Sequence, residues 1–160
     1  MRGSEGGRVQ VLERSQRLEL EAQRAFAFFA DARNLERITP AWLGFNVVTP
    51  GAIEMQPGAL IDYQLKLHGL PVQWRTRIEV WEPPVRFVDV QVRGPYAAWE
   101  HTHTFEPDGE RAVVIRDRVR YALPLGPLGR LAHAAIVKLD LERIFDYRQQ
   151  AVAELLGSVE

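Results

Sequence analysis

The chain has 160 residues and no cysteine, and its 20 Lys plus Arg against 21 Asp plus Glu leave a formal net charge of -1. That length suits one domain able to bury a substantial core without metals or disulfides, and the lack of cysteine excludes disulfides and thiolate chemistry. The balanced charge argues against nucleic acid as a partner, and no apolar run reaches membrane-spanning length, so integral membrane association is not expected.

Met1 to Arg8 is Gly-rich and charged, with no apolar signal-peptide core behind it. It reads as a disordered leader to a single domain at 9–157, and the cytoplasm is the expected location. Val9 to Leu20 predicts a strand, with Val11, Leu18 and Leu20 as apolar positions among charged ones. In Glu21 to Ala30 the residues Ala22, Ala25, Phe26 and Phe29 recur at helical spacing. Asp31 is placed to cap a second short helix, Ala32 to Ile38, which Thr39-Pro40 stops.

From Trp42 to Tyr121 the chain reads as strands. Phe45 to Thr49 is short. Gly58 to Leu67 alternates, with Ala59, Ile61, Tyr63, Leu65 and Leu67 on one face; Gly69 turns the chain into Val72 to Trp81, where Val72, Trp74, Thr76, Ile78 and Val80 align. Pro83-Pro84 breaks that strand, and Arg86 to Arg93 follows with Val88, Val90 and Val92 aligned. Gly94-Pro95 turns again, and Tyr96 to Glu106 and Arg111 to Leu123 pair across Asp108-Gly109, a strong hairpin signal.

Clean alternation over many strands predicts an antiparallel sheet with one dry face. Gly126 to Leu156 is the segment able to cover it, a long helix whose stripe is Leu131, Ala134, Val137, Leu141, Phe145, Val152 and Leu155. The predicted fold is α+β: a curved antiparallel sheet of about seven strands around a long C-terminal helix, with two short helices after the first strand. One helix cannot fill the concave face of such a sheet, so a cavity is expected.

This order, with Trp81-Glu82-Pro83-Pro84, Phe87-Val88-Asp89-Val90-Gln91, Gly94-Pro95-Tyr96, Trp99 to Phe105, Tyr121-Ala122-Leu123-Pro124 and Gly126-Pro127-Leu128-Gly129, resembles the START-like, or Bet v 1-like (SRPBCC), superfamily and its bacterial polyketide cyclase/dehydrase-like branch. The resemblance implies a helix-grip fold with a lipophilic cavity. It implies a small hydrophobic ligand (lipid, isoprenoid or polyketide-like) and names no cofactor. Related families include true aromatase/cyclases and ribosome- or chaperone-associated domains, so a cyclase or dehydratase and a protein-interaction domain stand as alternatives. Trp81 and the outward arginines are the hints of a docking surface.

Along Trp99 to Phe105, the residues Trp99, His101, His103 and Phe105 share a face. On the partner strand Val113, Ile115, Asp117, Val119 and Tyr121 share one, opposite Arg116, Arg118 and Arg120. Asp117 is therefore a carboxylate on an apolar face. A three-residue loop at Asp108 to Glu110 would set His101 opposite it, and a slightly longer loop His103. Such a pair can steady the hairpin, orient a ligand's polar group, or move a proton with Asp117 as the orienting group; His101, His103 and Asp117 are the candidate catalytic residues. His101-x-His103 with Glu106 lacks the spacing of a metal-binding cupin motif, and no metal is expected. Trp42, Tyr63, Trp74, Tyr96, Trp99 and Tyr121 are candidates for the pocket wall, Ala134 and Ala135 leave room for a ligand, and Lys138 and Arg148 flank the helical stripe where either can reach the pocket mouth. His68 and His133 read as solvated.

Overall fold

The computed structural model describes residues 8–124 and 130–157. Most of the expected leader, the start of the long helix at 126–129, and the side chains of Leu131 and His133 lie outside the described residues.

Strand β1 (Gln10–Leu18) leads into helix α1 (Ala22–Ala30), a 3-10 turn at Ala32–Ile38 and a second at Ala41–Leu43. Asp31 accepts a hydrogen bond from the Arg33 backbone N–H at 3.0 Å, the cap that the sequence predicts. Six strands follow: β2 (Asn46–Val47), β3 (Leu60–Leu67), β4 (Leu70–Glu82), β5 (Arg86–Arg93), β6 (Ala98–Pro107) and β7 (Val113–Ala122). Helix α2 (Arg130–Leu156) closes the chain. The strands form one antiparallel sheet in the order β1-β7-β6-β5-β4-β3-β2, a meander with β1 added beside its last strand.

The tight turns use the residues that their geometry requires. His68 and Gly69 between β3 and β4 both have positive φ, 49° and 79°, as two-residue hairpins favour. A Cβ on Gly94 would lie 2.4 Å from the Gln91 side-chain oxygen, so glycine is needed where Gln91 folds back to accept from the Tyr96 backbone N–H at 3.1 Å and donate to the Tyr96 carbonyl at 2.8 Å.

The inner face of the sheet carries two kinds of packing. Near α1, the residues Phe26, Phe29, Phe87, Phe105, Val113 and Val152 are buried in one apolar cluster. Near β2 to β4, Val47, Ile61, Tyr63 and Ile78 form another. Helix α2 is moored to edge strand β1 by polar links: the Gln16 amide donates to the Gln149 carbonyl at 2.7 Å, the Gln149 amide to the Ser15 carbonyl at 3.0 Å, and Arg14 pairs with Asp146 at 3.4 Å.

Five expectations about facing change. Val11 is 51 % exposed, because Leu12 shares the inward parity of Leu18 and β1 turns its odd residues out. On β5 the valines take the other face: Phe87 and Asp89 point inward and Val92 is exposed. A bulge between Ile78 and Val80 shifts the register of β4, so that Trp81 rather than Val80 follows Ile78 onto the inner face. Trp81 is half-buried and packs 5.1 Å from Phe26 and 5.4 Å from Phe87, ring to ring, so its indole turns to the core rather than outward. At the helix end Leu155 is exposed, and Leu156 takes the inward place because the 3.6-residue period has rotated past Leu155 after Val152.

Candidate functional site

Between α2 and the β3 to β6 part of the sheet lies a cavity of about 140 Å³. Its wall is mostly apolar and aromatic, with Tyr63 from β3, Trp74 from β4, Tyr96 from the β5–β6 turn and Trp99 from β6, and with Leu141, Ile144 and Phe145 from α2. The Trp74 indole N–H donates to the Thr76 hydroxyl at 3.1 Å, so that donor is already satisfied. The rings of Trp74, Tyr96 and Trp99 meet one another at centroid distances of 4.8 to 5.6 Å.

One corner is polar, and strand register builds it. Asp89 on β5 stands opposite His101 on β6, and His103 stands opposite Asp117 on β7. The short hydrogen bonds cross these pairings. His101 Nε2 lies 2.7 Å from Asp117, and His103 Nε2 lies 2.7 Å from Asp89. A longer contact of 3.4 Å joins His103 Nδ1 to the same Asp117 oxygen that His101 bonds. The two imidazole centroids lie 3.6 Å apart with the rings tilted by 30°, and Phe87 stacks on His103 at 4.0 Å. All four polar side chains are nearly enclosed, none more than 16 % exposed.

This arrangement separates the two histidines. Burial would lower both, but His103 lies between two carboxylates that accept its N–H groups, and it is held above its ordinary value. His101 is pushed below its ordinary value by burial and by the neighbouring His103, against one hydrogen bond to Asp117. Burial would raise Asp89 and Asp117; hydrogen bonds from the imidazoles and their positive charge overcome it and hold both carboxyls below the usual range. The pattern favours the proton on His103, which bridges two anions, over His101, which donates through Nε2 and keeps Nδ1 as an acceptor.

Arg148 of α2 completes the corner. Its guanidinium lines the cavity and lies over the Phe145 ring at 4.8 Å. Burial lowers it while Asp117 and Asp89 raise it, and the buried Nε has no hydrogen-bond partner. Asp89, His101 and His103 each offer a donor atom within 4.8 Å of one another, a set able to hold a metal ion. The chemistry of that set works against it: a metal would have to displace the proton that His103 shares with Asp89, close to a guanidinium. Glu106, the carboxylate considered from the sequence, is exposed and pairs with Arg116 at 3.2 Å.

Of the residues expected at the site, Tyr63, Trp74, Tyr96, Trp99, His101 and His103 line the cavity. Asp117 stands behind the histidines and acts on the cavity through them. Tyr121 is buried with Leu12, Val119, Leu141 and Phe145, outside the cavity. Lys138, Ala135 and Trp42 are exposed, and Ala134 is half-buried away from the cavity. The reason lies in how α2 crosses the sheet: among the described residues it reaches the cavity only from Leu141 onward. The hairpin loop, Asp108 to Ala112, is the longer of the two anticipated, and it sets His103 opposite Asp117 while His101 makes the shorter bond. His68 is largely exposed, yet its Nε2 sits 2.7 Å from Asp140 of α2.

Asp89 was missed because Val88, Val90 and Val92 imitate a core face. Arg148 carried a clear signal: Leu141, Phe145, Arg148 and Val152 follow one another at spacings of four, three and four, which puts the arginine inside the stripe.

The family described as polyketide cyclase / dehydrase and lipid transport matches residues 18–153, and the chain belongs to it. The fold is the helix-grip fold of the START-like superfamily. The aromatase/cyclase Zhui from Streptomyces sp. R1128 superposes with a TM-score of 0.74 at 12% identity, over 93% of this chain and 94% of that one. Protein CV1439 from Chromobacterium violaceum gives 0.71 at 14%, over 93% and 98%. A START superfamily protein from Mycobacterium smegmatis gives 0.64 at 11%, over 91% and 98%. No curated protein matches the chain in sequence. Among the described residues no helix is long and apolar enough to cross a membrane.

Proposed function

We propose that the domain binds a small hydrophobic ligand in the cavity, with the aspartate–histidine network and Arg148 as its polar end. The observation that carries this reading is the meeting of an aromatic wall with a few convergent titratable groups in one cavity, the usual composition of a small-molecule site. The volume narrows the choice. A space of about 140 Å³ resembles cavities that admit a benzene-sized molecule, so a ring or short chain fits this conformation and a whole lipid requires α2 to move. The test is binding of ethylbenzene to the full-length protein, followed by NMR at the indole N–H groups of Trp74 and Trp99. Saturable shifts are expected, and their absence for every apolar probe of that size would sink the reading.

A second reading has its own support. His101 is neutral, is oriented by Asp117 and opens on the cavity, which suits a general base. A cyclase or dehydratase acting on a polyketide-like substrate would lose turnover on His101→Ala; unchanged turnover would exclude this role.

A further inference from the structure

The cavity's polar corner contains one cation without a matched partner. Asp89 and Asp117 are the anions whose fields reach Arg148, but their short hydrogen bonds are spent on His103 and His101. Among the described residues no carboxylate lies within ion-pair distance of the guanidinium, and its buried Nε has no partner. Arg148 is half-buried as a residue, but leaving its buried Nε–H without an acceptor is costly and calls for an oxygen. Arginine's planar fork matches a carboxylate with two parallel hydrogen bonds.

Resting on the cavity reading above, we propose that the ligand is a small apolar carboxylic acid, bound with its carboxylate on Arg148 and its hydrocarbon part against the aromatic wall. The volume sets the hydrocarbon part at roughly six carbons. Charge balance then involves His101. With the shared proton on His103, held between its two carboxylates, Arg148 and His103 balance Asp89 and Asp117, and His101, with its single bond to Asp117, is neutral. The groups that face His101 are His103 on its own strand, Asp117 on β7, Asp89 on β5 and the Phe145 ring on α2, with Arg148 on the same cavity wall. A bound carboxylate adds one negative charge to this neutral set. His101 holds Asp117 through Nε2 and has Nδ1 free to take a compensating proton from solvent, so the free anion and one proton enter together and the charge balances.

Calorimetry on the full-length protein with sodium phenylacetate and with phenylacetamide, its uncharged counterpart of equal size, tests this at neutral pH. The expected result is binding of the anion at least about tenfold tighter than the amide, with uptake of close to one proton, read from two buffers of different ionisation enthalpy. Arg148→Met should abolish the preference and still bind ethylbenzene, and Arg148→Lys should restore part of it. Equal affinity for anion and amide in the unmodified protein would overturn the inference while bound ethylbenzene leaves the cavity reading intact. Failure of all three probes would overturn both. Tight anion binding without proton uptake would remove His101 from the proposal. If Arg148→Met does not fold, the ratio measured on the unmodified protein decides alone.

Discussion

Phe87 and Asp89 lie two residues apart on the inner face of β5, and the molecule changes character between them. On the Phe87 side, Phe26 meets Phe105 at 5.1 Å and Phe87 at 5.9 Å, and Phe29 meets Phe105 at 5.5 Å, because α1 lies on that part of the sheet; Phe29 and Phe87 form the border with the cavity. On the Asp89 side α2 covers the sheet together with the 3-10 segments, whose Leu35, Thr39 and Leu43 also line the space. There α2 presents Phe145 and Arg148, and about 140 Å³ stays open. Both regions are aromatic and both sit on the same concave surface. Strand alternation decides which side chains point inward; the covering helices decide whether those side chains become a packed core or a lined cavity.

The contrast breaks most visibly under truncation. Phe105→Ala removes a fully buried ring from the packed side, where neighbours cannot collapse, and should lower unfolding stability by about 3–5 kcal/mol in chemical denaturation. Trp74→Ala on the cavity side enlarges a space that already exists and should cost roughly 1–2 kcal/mol. Equal losses would mean that the cavity is closed in solution. Asp117→Asn keeps the shape of the polar corner and deletes the charge that two imidazoles share. A loss of about 1–3 kcal/mol is expected, together with a fall of the His103 titration toward its ordinary value, read by NMR on the ring protons.

Much of this division was legible in the sequence, for physical reasons that also explain the misses. Side-chain period fixed the inner faces of β3, β6 and β7, so His101, His103 and Asp117 were expected on the concave side together. It failed on β5, where valines suit the outer face of a pleated sheet as well as the inner one, and Asp89 was hidden beside them. It failed on β1, where Leu12 and not Val11 has the parity of Leu18. Helical period placed Leu141, Phe145 and Val152 correctly, and Arg148, expected at the edge of that stripe, sits inside it. The hairpin left a choice between His101 and His103 that loop length alone resolves.

The histidines offer a smaller and sharper test of the polar corner. His103 lies above its ordinary value in the fold, so the stability it contributes is complete below about pH 6.5 and fades as pH rises through the folded value. His101 lies below its ordinary value, so stability falls as pH drops below about 6.5, where the unfolded chain takes up a proton that the folded chain refuses. Asp89 and Asp117 add a further loss at lower pH, because their contribution is present above about pH 4 and disappears through their folded values. Stability should therefore peak near neutrality and decline on both sides, with the two imidazoles titrating in opposite directions from about 6.5 as one coupled pair. Both moving to the same side would contradict the crossed hydrogen bonds.

The smallest expected effect concerns Lys138. It lies on the first half of α2, exposed and off the cavity, whereas Arg148 lies on the second half and inside it. The two cations looked equivalent as residues flanking an apolar stripe. If position along the helix is what separates them, Lys138→Ala should change stability by less than about 0.5 kcal/mol and leave ethylbenzene and phenylacetate affinities unchanged in the same calorimetric assay. A loss of anion binding on Lys138→Ala would instead place the ligand's charged end near the start of the helix, and the cavity would then have to extend past Leu141 toward β3 and β4, where His68 already ties the turn to Asp140.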